Sequence, residues 1–291
     1  MKINYNINNP MAPPWLMYPQ ISRYSIGWRM GYGESYVMDF ADWYSGLIIE
    51  EQKQFQQMFP EPKGWLGWYK EEYTDGDTYN QNTILGNTNG EMRYSLKSVQ
   101  NDFQRGKKIK YLFFWGHQPS KNGSITKTCL SQWWKSTFTI DTDTYYCMEQ
   151  YMMAEKARLF EDNETLEKIM KSNHPKQIKD LGRQVKNFDE DIWIENRYSI
   201  ILNGNYAKFI QNKDLRQFLI GTNDRVLVEA SPYDKIWGIG MSADDENIEN
   251  PLLWNGANLL GFALMEVRDE LIRICQNYDK LNLIKLHEMF D

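Results

Sequence analysis

The 291-residue chain has an ordinary globular composition, with 42% hydrophobic and 25% charged residues, but its 11 Trp and 18 Tyr are in excess. Its net charge of −6 argues against a protein that holds nucleic acid through a broad basic surface. Three widely spaced cysteines and three scattered histidines argue against a disulfide framework, a CxxC site or an HExxH zinc site.

The sequence carries no sign of export or membrane insertion. Its start, MKINYNINNPMAPPWL, lacks the basic and apolar segments of a signal peptide, and no window reaches 18 apolar residues. An odd number of unpaired cysteines fits a reducing compartment. We therefore expect a cytoplasmic protein that contacts no membrane, uses no cofactor and binds no metal.

Two regions differ in pattern, with a boundary near the basic segment at residues 105–110. Residues 1–105 are rich in Gly, Tyr and Trp and contain one short predicted helix, EEQKQFQQMF, among turns. They predict a small, aromatic-rich accessory module of unknown role. Residues 106–291 have clearer helix and strand patterns and form the second predicted domain.

The second predicted domain begins with two strands and a helix. YLFFWG is a buried strand and STFTID is another. A helix over about residues 145–160 follows, with Asp143 or Thr144 as its N-cap. Pro175 then begins a further helix.

The remaining predicted elements are a long helix, a pair of strands and a final helix. Residues 189–211 form one helix with a flexible middle at residues 203–205, or two helices. VLVEASPYDKIWGIGMSADDEN is interpreted as strand, turn and strand. Residues 258–276 have helical apolar spacing. The elements predict an α+β domain that is mostly helical.

An apolar stripe in the helix CMEQYMMAEKA contains two opposite charges. Glu149, Met152, Met153, Lys156 and Phe160 recur at helical spacing. Glu149 and Lys156 point the same way about 10 Å apart, too far for a direct pair. Each ion must reach water, a partner or a ligand, so the stripe is either a core face with charged edges or part of a site.

A second candidate constellation lies in VLVEASPYDKIWGIGMSADD. Glu229 falls at a strand end, and Asp234 and Trp237 follow on a turn that Pro232 stiffens. Gly238 allows the backbone to approach a ligand closely. Together they suit a nucleoside or ribose, and a tight hairpin with a solvated acidic edge explains them at least as well.

Two further segments offer weaker signals. The turn WNGAN, which contains Asn258, leads into the last helix, whose free backbone N–H groups favour a phosphate; a plain Asn cap explains it equally well. FFWGHQPSK and CLSQWWKS supply Trp115, Gly116, Ser131 and Trp133, which specify no site by themselves.

These segments occur together in a recognisable order. FFWG, LSQWW, EQYMMAEKARLF, LGRQVKNFDEDIW, NRYSIILNGNYAKFIQN, LRQFLIGT, LVEASPYDKIWGIGMSADD and NGANLLGFALMEVRDEL resemble the NADAR (YbiA-like) family over about residues 111–271. The resemblance implies a compact, mostly helical α+β domain with a few short strands, and makes 106–291 the catalytic domain. Many members have Ser-Asn-Phe where this chain has Ser131, Gln132 and Trp133, a departure that affects the base side of the pocket.

The resemblance also implies a hydrolase that cleaves the N-glycosidic bond between ribose C1 and a base nitrogen. The leading expectation is removal of ADP-ribose from ADP-ribosylated guanine in a nucleoside or nucleic acid, functionally paired with an ADP-ribosyltransferase. The first alternative is a phosphorylated ribosyl-amino-pyrimidine intermediate of riboflavin synthesis. The second is a non-catalytic module that binds ADP-ribose or NAD.

The expected site residues follow from this chemistry. Lys156 is the candidate covalent nucleophile, which would form a Schiff base, or else the cation on the leaving-group side. A wall of methionine side chains would favour the Schiff base by lowering the pKa of the amine. Glu149 is expected to orient the ribose or to transfer protons. Asp234 is a second acid or base, and a carboxylate that assists water is the other route. Glu229 is predicted to bind ribose hydroxyls, and Trp115, Trp133 and Trp237 to lie on the base side. Gly116, Ser131, Asn258 and the N-terminus of the last helix are predicted to hold the phosphates. Gly238 is predicted to let the backbone approach the ligand closely.

Overall fold

The computed structural model describes residues 4–70 and 92–281. Backbone packing divides them into two compact units. The N-terminal unit comprises residues 4–70, 139–143 and 270–281, and the central unit comprises residues 92–138 and 144–269. The functional division predicted at residue 105 stays a prediction.

The N-terminal unit contains three helices: α1 (Pro14–Met17), α2 (Tyr32–Ser45) and α3 (Ile49–Met58). Its core is aromatic, because Trp15, Tyr36, Phe40, Phe55 and Phe59 are all buried. Helix α3 is the one predicted from EEQKQFQQMF. Helix α2 was not predicted, because its aromatic and glycine-containing sequence shows little helical periodicity.

The central unit is built around helices, whose bounds are α4 (Leu96–Gln104), α5 (Met148–Leu159), α6 (Asn163–Lys171), α7 (Pro175–Gly182), α8 (Glu190–Gln211), α9 (Lys213–Ile220) and α10 (Leu259–Ile274). Helix α5 packs against α6, α7 and α8. The last turn of α10, from Glu270, belongs to the N-terminal unit.

Four short strands complete the described structure: β1 (Tyr111–Phe114), β2 (Phe138–Ile140), β3 (Asp143–Tyr145) and β4 (Val226–Glu229). Strands β1 and β4 pair in parallel, with Phe114 opposite Glu229, and β2 pairs with β3. Because parallel strands end at the same edge, Trp115 and the residues after Glu229 leave the sheet together. The described chain is therefore mostly helical α+β, as predicted.

Two local predictions were wrong. The start of the α5 region is a strand, so Cys147, and not Asp143 or Thr144, is the N-cap. The segment after β4 is a loop and not a second strand. Of the two alternatives predicted for residues 189–211, the structure has the single helix, which Asp189 caps by accepting a hydrogen bond from Ile192 N at 3.0 Å.

The predicted flexible middle of α8 is part of the buried core. Asn203, Gly204 and Asn205 lie within the helix, and Asn205 donates to Ile201 O at 2.9 Å. A Cβ on Gly204 would lie 2.4 Å from the Tyr151 ring, so glycine is needed for α8 to pack closely against α5. The glycine marks a close helix contact, which sequence alone does not distinguish from a flexible point.

Candidate active site

A cavity of about 630 Å³ opens within the central unit, at the edge where β1 and β4 end. Its lining comes from the segments after β1 and β4, the loop before β2, α5, α7 and α8. The lining residues are Trp115, Gly116, His117, Ser131, Gln132, Trp133, Glu149, Met152, Met153, Lys156, Lys179, Gly182, Arg183, Trp193, Glu229, Ser231, Tyr233, Asp234, Ile236 and Trp237.

Two buried carboxyl groups in this cavity have raised pKa values. Burial raises the pKa of Glu149 to about 7, while Lys179 and a hydrogen bond from the Trp133 side chain lower it. Burial raises the pKa of Glu229 to about 8, with further contributions from the charges of Asp234 and Glu149. At neutral pH the Glu229 carboxyl therefore carries its proton and can donate it.

The third carboxylate, Asp234, is fixed by its own loop. Its Oδ1 accepts hydrogen bonds from the backbone N–H groups of Ile236 at 2.9 Å and Trp237 at 2.8 Å. Oδ2 accepts no hydrogen bond from any residue that the structure describes. The turn thus holds one carboxylate oxygen and leaves the other for a ligand.

Lys156 lies on α5, lines the same cavity and is partly buried. Burial lowers the pKa of its amine. Its Nζ donates to Gly182 O at 2.9 Å and lies 4.0 Å from the centre of the Phe188 ring. A lysine with a lowered pKa supplies more neutral amine for nucleophilic attack.

Aromatic and cationic side chains meet around Trp133. The His117 ring lies 5.5 Å from the Trp133 ring, and Lys179 Nζ lies 5.7 Å from it. Trp115 is 51% exposed and Tyr233 is 88% exposed. The cavity thus offers flat apolar faces beside positive charge, an arrangement that suits an aromatic, anionic ligand.

The loop that carries Ser131, Gln132 and Trp133 is anchored from below by a buried lysine. Lys208 on α8 is fully buried, and its Nζ donates to Cys129 O at 2.7 Å and to Ser131 O at 3.1 Å. Burial lowers the pKa of Lys208 to about 8. Gln132 O accepts from Glu149 N at 2.9 Å, which ties the loop to the start of α5.

The structure brings nine of the eleven predicted site residues to one cavity. They are Lys156, Glu149, Asp234, Trp115, Gly116, Ser131, Trp133, Glu229 and Trp237. Met152 and Met153 also line it, as expected from the stripe on α5. The roles assigned to these residues stay predictions.

Gly238 and Asn258 do not line the cavity. Asn258 is fully buried, where its side chain accepts from Glu229 N at 3.0 Å and donates to Leu227 O at 2.9 Å. Gly238 accepts from Asn258 N at 3.1 Å. Both residues brace the end of β4, so neither is placed to contact a ligand directly.

Several backbone donors expected to bind a phosphate at the last helix make hydrogen bonds within the protein. The backbone N–H groups of Ala257, Asn258, Leu259 and Leu260 donate to the carbonyls of residues 235, 238, 236 and 237 respectively. The start of α10 therefore holds the loop after β4 in place. These four donors are unavailable to a phosphate.

Comparison with known proteins assigns the chain to a family. The family model of the NADAR domain matches residues 113–272, which include every residue of the cavity. The chain belongs to the NADAR family. The matched residues nearly coincide with residues 111–271, over which the sequence motifs resemble this family.

Three similar proteins illustrate the match of this NADAR domain. The N-glycosidase R617 of Acanthamoeba polyphaga mimivirus is 44% identical over 168 residues, 55% of this chain and 96% of that protein. A riboflavin biosynthesis protein of Vibrio vulnificus is 27% identical over 58% of this chain and 40% of its own length. The NMR structure of E. coli YbiA aligns with a TM-score of 0.46 at 24% identity, over 56% of this chain and 86% of YbiA.

Nine lining residues of the NADAR domain were not among the predicted site residues: His117, Gln132, Lys179, Gly182, Arg183, Trp193, Ser231, Tyr233 and Ile236. Lys179 and Arg183 are four residues apart, a spacing that places them on one side of α7 and could have identified them. A single glutamine and a single tryptophan give no such signal.

Across residues 4–70 and 92–281, no group of three or more His, Cys, Asp or Glu side chains is arranged to hold a metal ion. Within the same residues, no helix combines the length and hydrophobicity needed to cross a membrane.

Proposed function

We propose that this protein is an N-glycosidase that removes ADP-ribose from ADP-ribosylated guanine. The observation that carries the proposal is a single cavity lined by aromatic side chains and by four reactive groups. These are the protonated carboxyl of Glu229, the carboxyl groups of Glu149 and Asp234, and the Lys156 amine with its lowered pKa. Its relatives include a protein named N-glycosidase, 44% identical over nearly its whole length.

The chemistry requires a proton for the departing base and support for positive charge at ribose C1. Glu229, protonated at neutral pH, is suited to donate the proton to the base nitrogen. The free Oδ2 of Asp234 and the Glu149 carboxylate are suited to stabilise C1 and to accept a proton from water. This route needs no covalent bond to the enzyme.

The second route uses Lys156. The ribose ring opens to an imine between C1 and the exocyclic nitrogen of guanine; the neutral Lys156 amine adds to C1, and guanine leaves with its amine restored. Water then adds to the lysine imine, which releases the C1 aldehyde and regenerates the amine. Both hydrolytic products are the same as for the first route.

Reductive trapping distinguishes these routes. Full-length protein is incubated with ADP-ribosylated guanosine and with ADP-ribosylated DNA in the presence of borohydride, and peptides are mapped. We expect an adduct on Lys156 that is absent from K156M. The control K168M, at an exposed lysine paired with Glu164 on α6, keeps the adduct. Turnover without any adduct contradicts the lysine route and favours the carboxylate route.

A second candidate substrate is a phosphorylated ribosyl-amino-pyrimidine of riboflavin synthesis. The similarity to a riboflavin biosynthesis protein of Vibrio vulnificus favours it. The same assay with this substrate decides between the two: the preferred substrate has the higher kcat/KM. Binding of ADP-ribose without turnover of either substrate contradicts an enzymatic function and favours a binding module.

A further inference from the structure

Two buried oxygen atoms in the cavity lack a hydrogen-bond donor. Among the described residues, neither Gln132 Oε1 nor Glu229 Oε2 has a partner, and both side chains line the cavity. Leaving a buried acceptor unpaired destabilises the folded protein. Because both atoms belong to residues that line the cavity, a bound ligand can supply the missing partner.

The position of Gln132 is fixed by its backbone. Its carbonyl accepts from Glu149 N at 2.9 Å, and the preceding carbonyl of Ser131 accepts from buried Lys208 at 3.1 Å. The Gln132 side chain is only 6% exposed. The backbone at this position is therefore fixed, and the amide oxygen is buried at the wall of the cavity.

Gln150 provides a contrast in the same unit. It is also buried, but its Nε2 donates to Ile169 O at 3.0 Å and Ser172 O at 2.9 Å, and its Oε1 accepts from Tyr146 N at 2.6 Å. Gln150 is a structural glutamine whose amide joins α5 to its neighbours. Gln132 Oε1 makes no comparable contact within the described chain.

We propose that Gln132 is a specificity-determining residue whose amide oxygen accepts a hydrogen bond from an N–H or O–H donor of a bound nucleoside. Glu229 Oε2 is a second buried oxygen without a hydrogen-bond partner in the same cavity. The inference rests on the proposed function for the class of ligand. The donor is either an exocyclic amine of the base or a hydroxyl of the ribose.

Three nucleosides test the proposal by isothermal titration: guanosine, inosine, which lacks the base amine, and 2′-deoxyguanosine, which lacks one ribose hydroxyl. Wild-type protein is expected to bind guanosine about 5- to 100-fold more tightly than one of the two analogues. In Q132M that preference falls below about twofold, because guanosine weakens and the analogue does not. The analogue whose discrimination is lost identifies the donor.

A second measurement separates recognition from a structural role. Q132M removes an unpaired acceptor, so its thermal unfolding midpoint stays equal to or above that of wild type. Q150M breaks satisfied hydrogen bonds, so its midpoint falls while its nucleoside preference is unchanged. An equal fall in both variants, or a preference retained in Q132M, overturns the proposal.

The test is independent of turnover. Binding preferences that depend on Gln132 support the proposal even if no substrate is hydrolysed, a result that would contradict the proposed enzyme function alone. Failure of wild-type protein to bind any of the three nucleosides overturns the proposal, whatever the turnover assay shows.

Discussion

At the residue scale, the cavity concentrates negative charge in a place that water reaches poorly. The charge of Asp234 contributes to the raised pKa of both Glu149 and Glu229, and Glu149 contributes to that of Glu229. Three carboxyl groups so close together cannot all ionise at neutral pH without a large cost. Glu229, with the higher pKa of the two glutamates, keeps its proton at neutral pH and is available as an acid.

This division predicts the pH dependence of the reaction. If Glu229 donates the proton to the leaving base, kcat/KM falls as the pH rises through about 8, because the carboxyl loses that proton. E229Q should lower kcat/KM by about 100- to 10,000-fold and remove this alkaline decline. The measurement is kcat/KM from pH 5 to 10; an unchanged alkaline decline in E229Q would assign it to another group.

The same carboxyl predicts a pH-dependent stability. Its pKa is about 8 in the folded protein and near 4.5 in the unfolded chain, so the folded state holds a proton that the unfolded state releases between these values. The stability that this carboxyl contributes is therefore fully present below pH 4.5 and is lost as the pH rises through 8. Relative to wild type, E229Q should gain about 1–3 kcal/mol of unfolding free energy between pH 5 and pH 9.

Urea unfolding of both proteins at the two pH values measures that gain. D224N is the control, because Asp224 is an exposed carboxylate that pairs with Lys110 outside the cavity. If the difference between wild type and E229Q is the same at pH 5 and pH 9, the pKa of Glu229 is not raised by folding.

Most of the candidate site could be predicted at this scale because its residues lie in dense local patterns. The stripe with Glu149 and Lys156, and the loop with Glu229 and Asp234, each combine several reactive side chains within one turn. Gln132 could not be predicted in this way. Its significance comes from an unpaired oxygen, which depends on the packing around it and not on its sequence neighbours.

At the element scale, α5 holds the site because two glycines let neighbouring helices approach it. A Cβ on Gly204 of α8 would lie 2.4 Å from the Tyr151 ring, and one on Gly182 of α7 would meet Met153. Tyr151 is buried and cannot move aside easily, whereas Met153 is flexible. The Gly204 contact is the more restrictive of the two.

Substitution of Gly204 by alanine should therefore destabilise the protein, although alanine is the better helix former. The overpacked contact should cost about 1–3 kcal/mol and lower the thermal unfolding midpoint. G46A is a matched control, since a Cβ on Gly46 would meet no atom closer than 3.4 Å and its φ of −75° suits any residue. A G204A protein as stable as wild type would show that α5 and α8 separate without cost.

Long helices with regular apolar spacing, such as α10, could be predicted within a few residues. Helix α2 could not, because its stability comes from aromatic contacts such as Tyr36 and Phe40 with residues distant in sequence. The N-cap of α5 was also unpredictable. Asp143 and Thr144, the polar residues that were expected to cap the helix, lie in strand β3.

At the scale of the whole molecule, the surplus of aromatic residues has two destinations. In the N-terminal unit they form the core, where Trp15 and Trp65 lie 5.4 Å apart and Phe40 stacks on Tyr44. In the central unit Trp115, Trp133, Trp193 and Trp237 line the cavity. Composition revealed the surplus but could not divide it between packing and ligand contact.

The occupied N-terminus of α10 has an electrostatic consequence for the whole protein. With those backbone donors committed to residues 235–238, the positive charge available to a phosphate in the cavity comes from side chains, among them Lys179 and Arg183. The protein as a whole is negative, with a net charge of −6, so it repels an anion at long range while these two groups attract it at short range.

Both effects weaken as counterions screen them, but the short-range attraction through solvated side chains dominates once the ligand is bound. Affinity for ADP-ribose should therefore fall between 50 and 500 mM salt, by roughly 3- to 10-fold. K179M should flatten this dependence, and K176M, on the same helix but outside the cavity lining, should not. A salt-independent affinity would mean that backbone N–H groups, and not charged side chains such as Lys179, hold the phosphates.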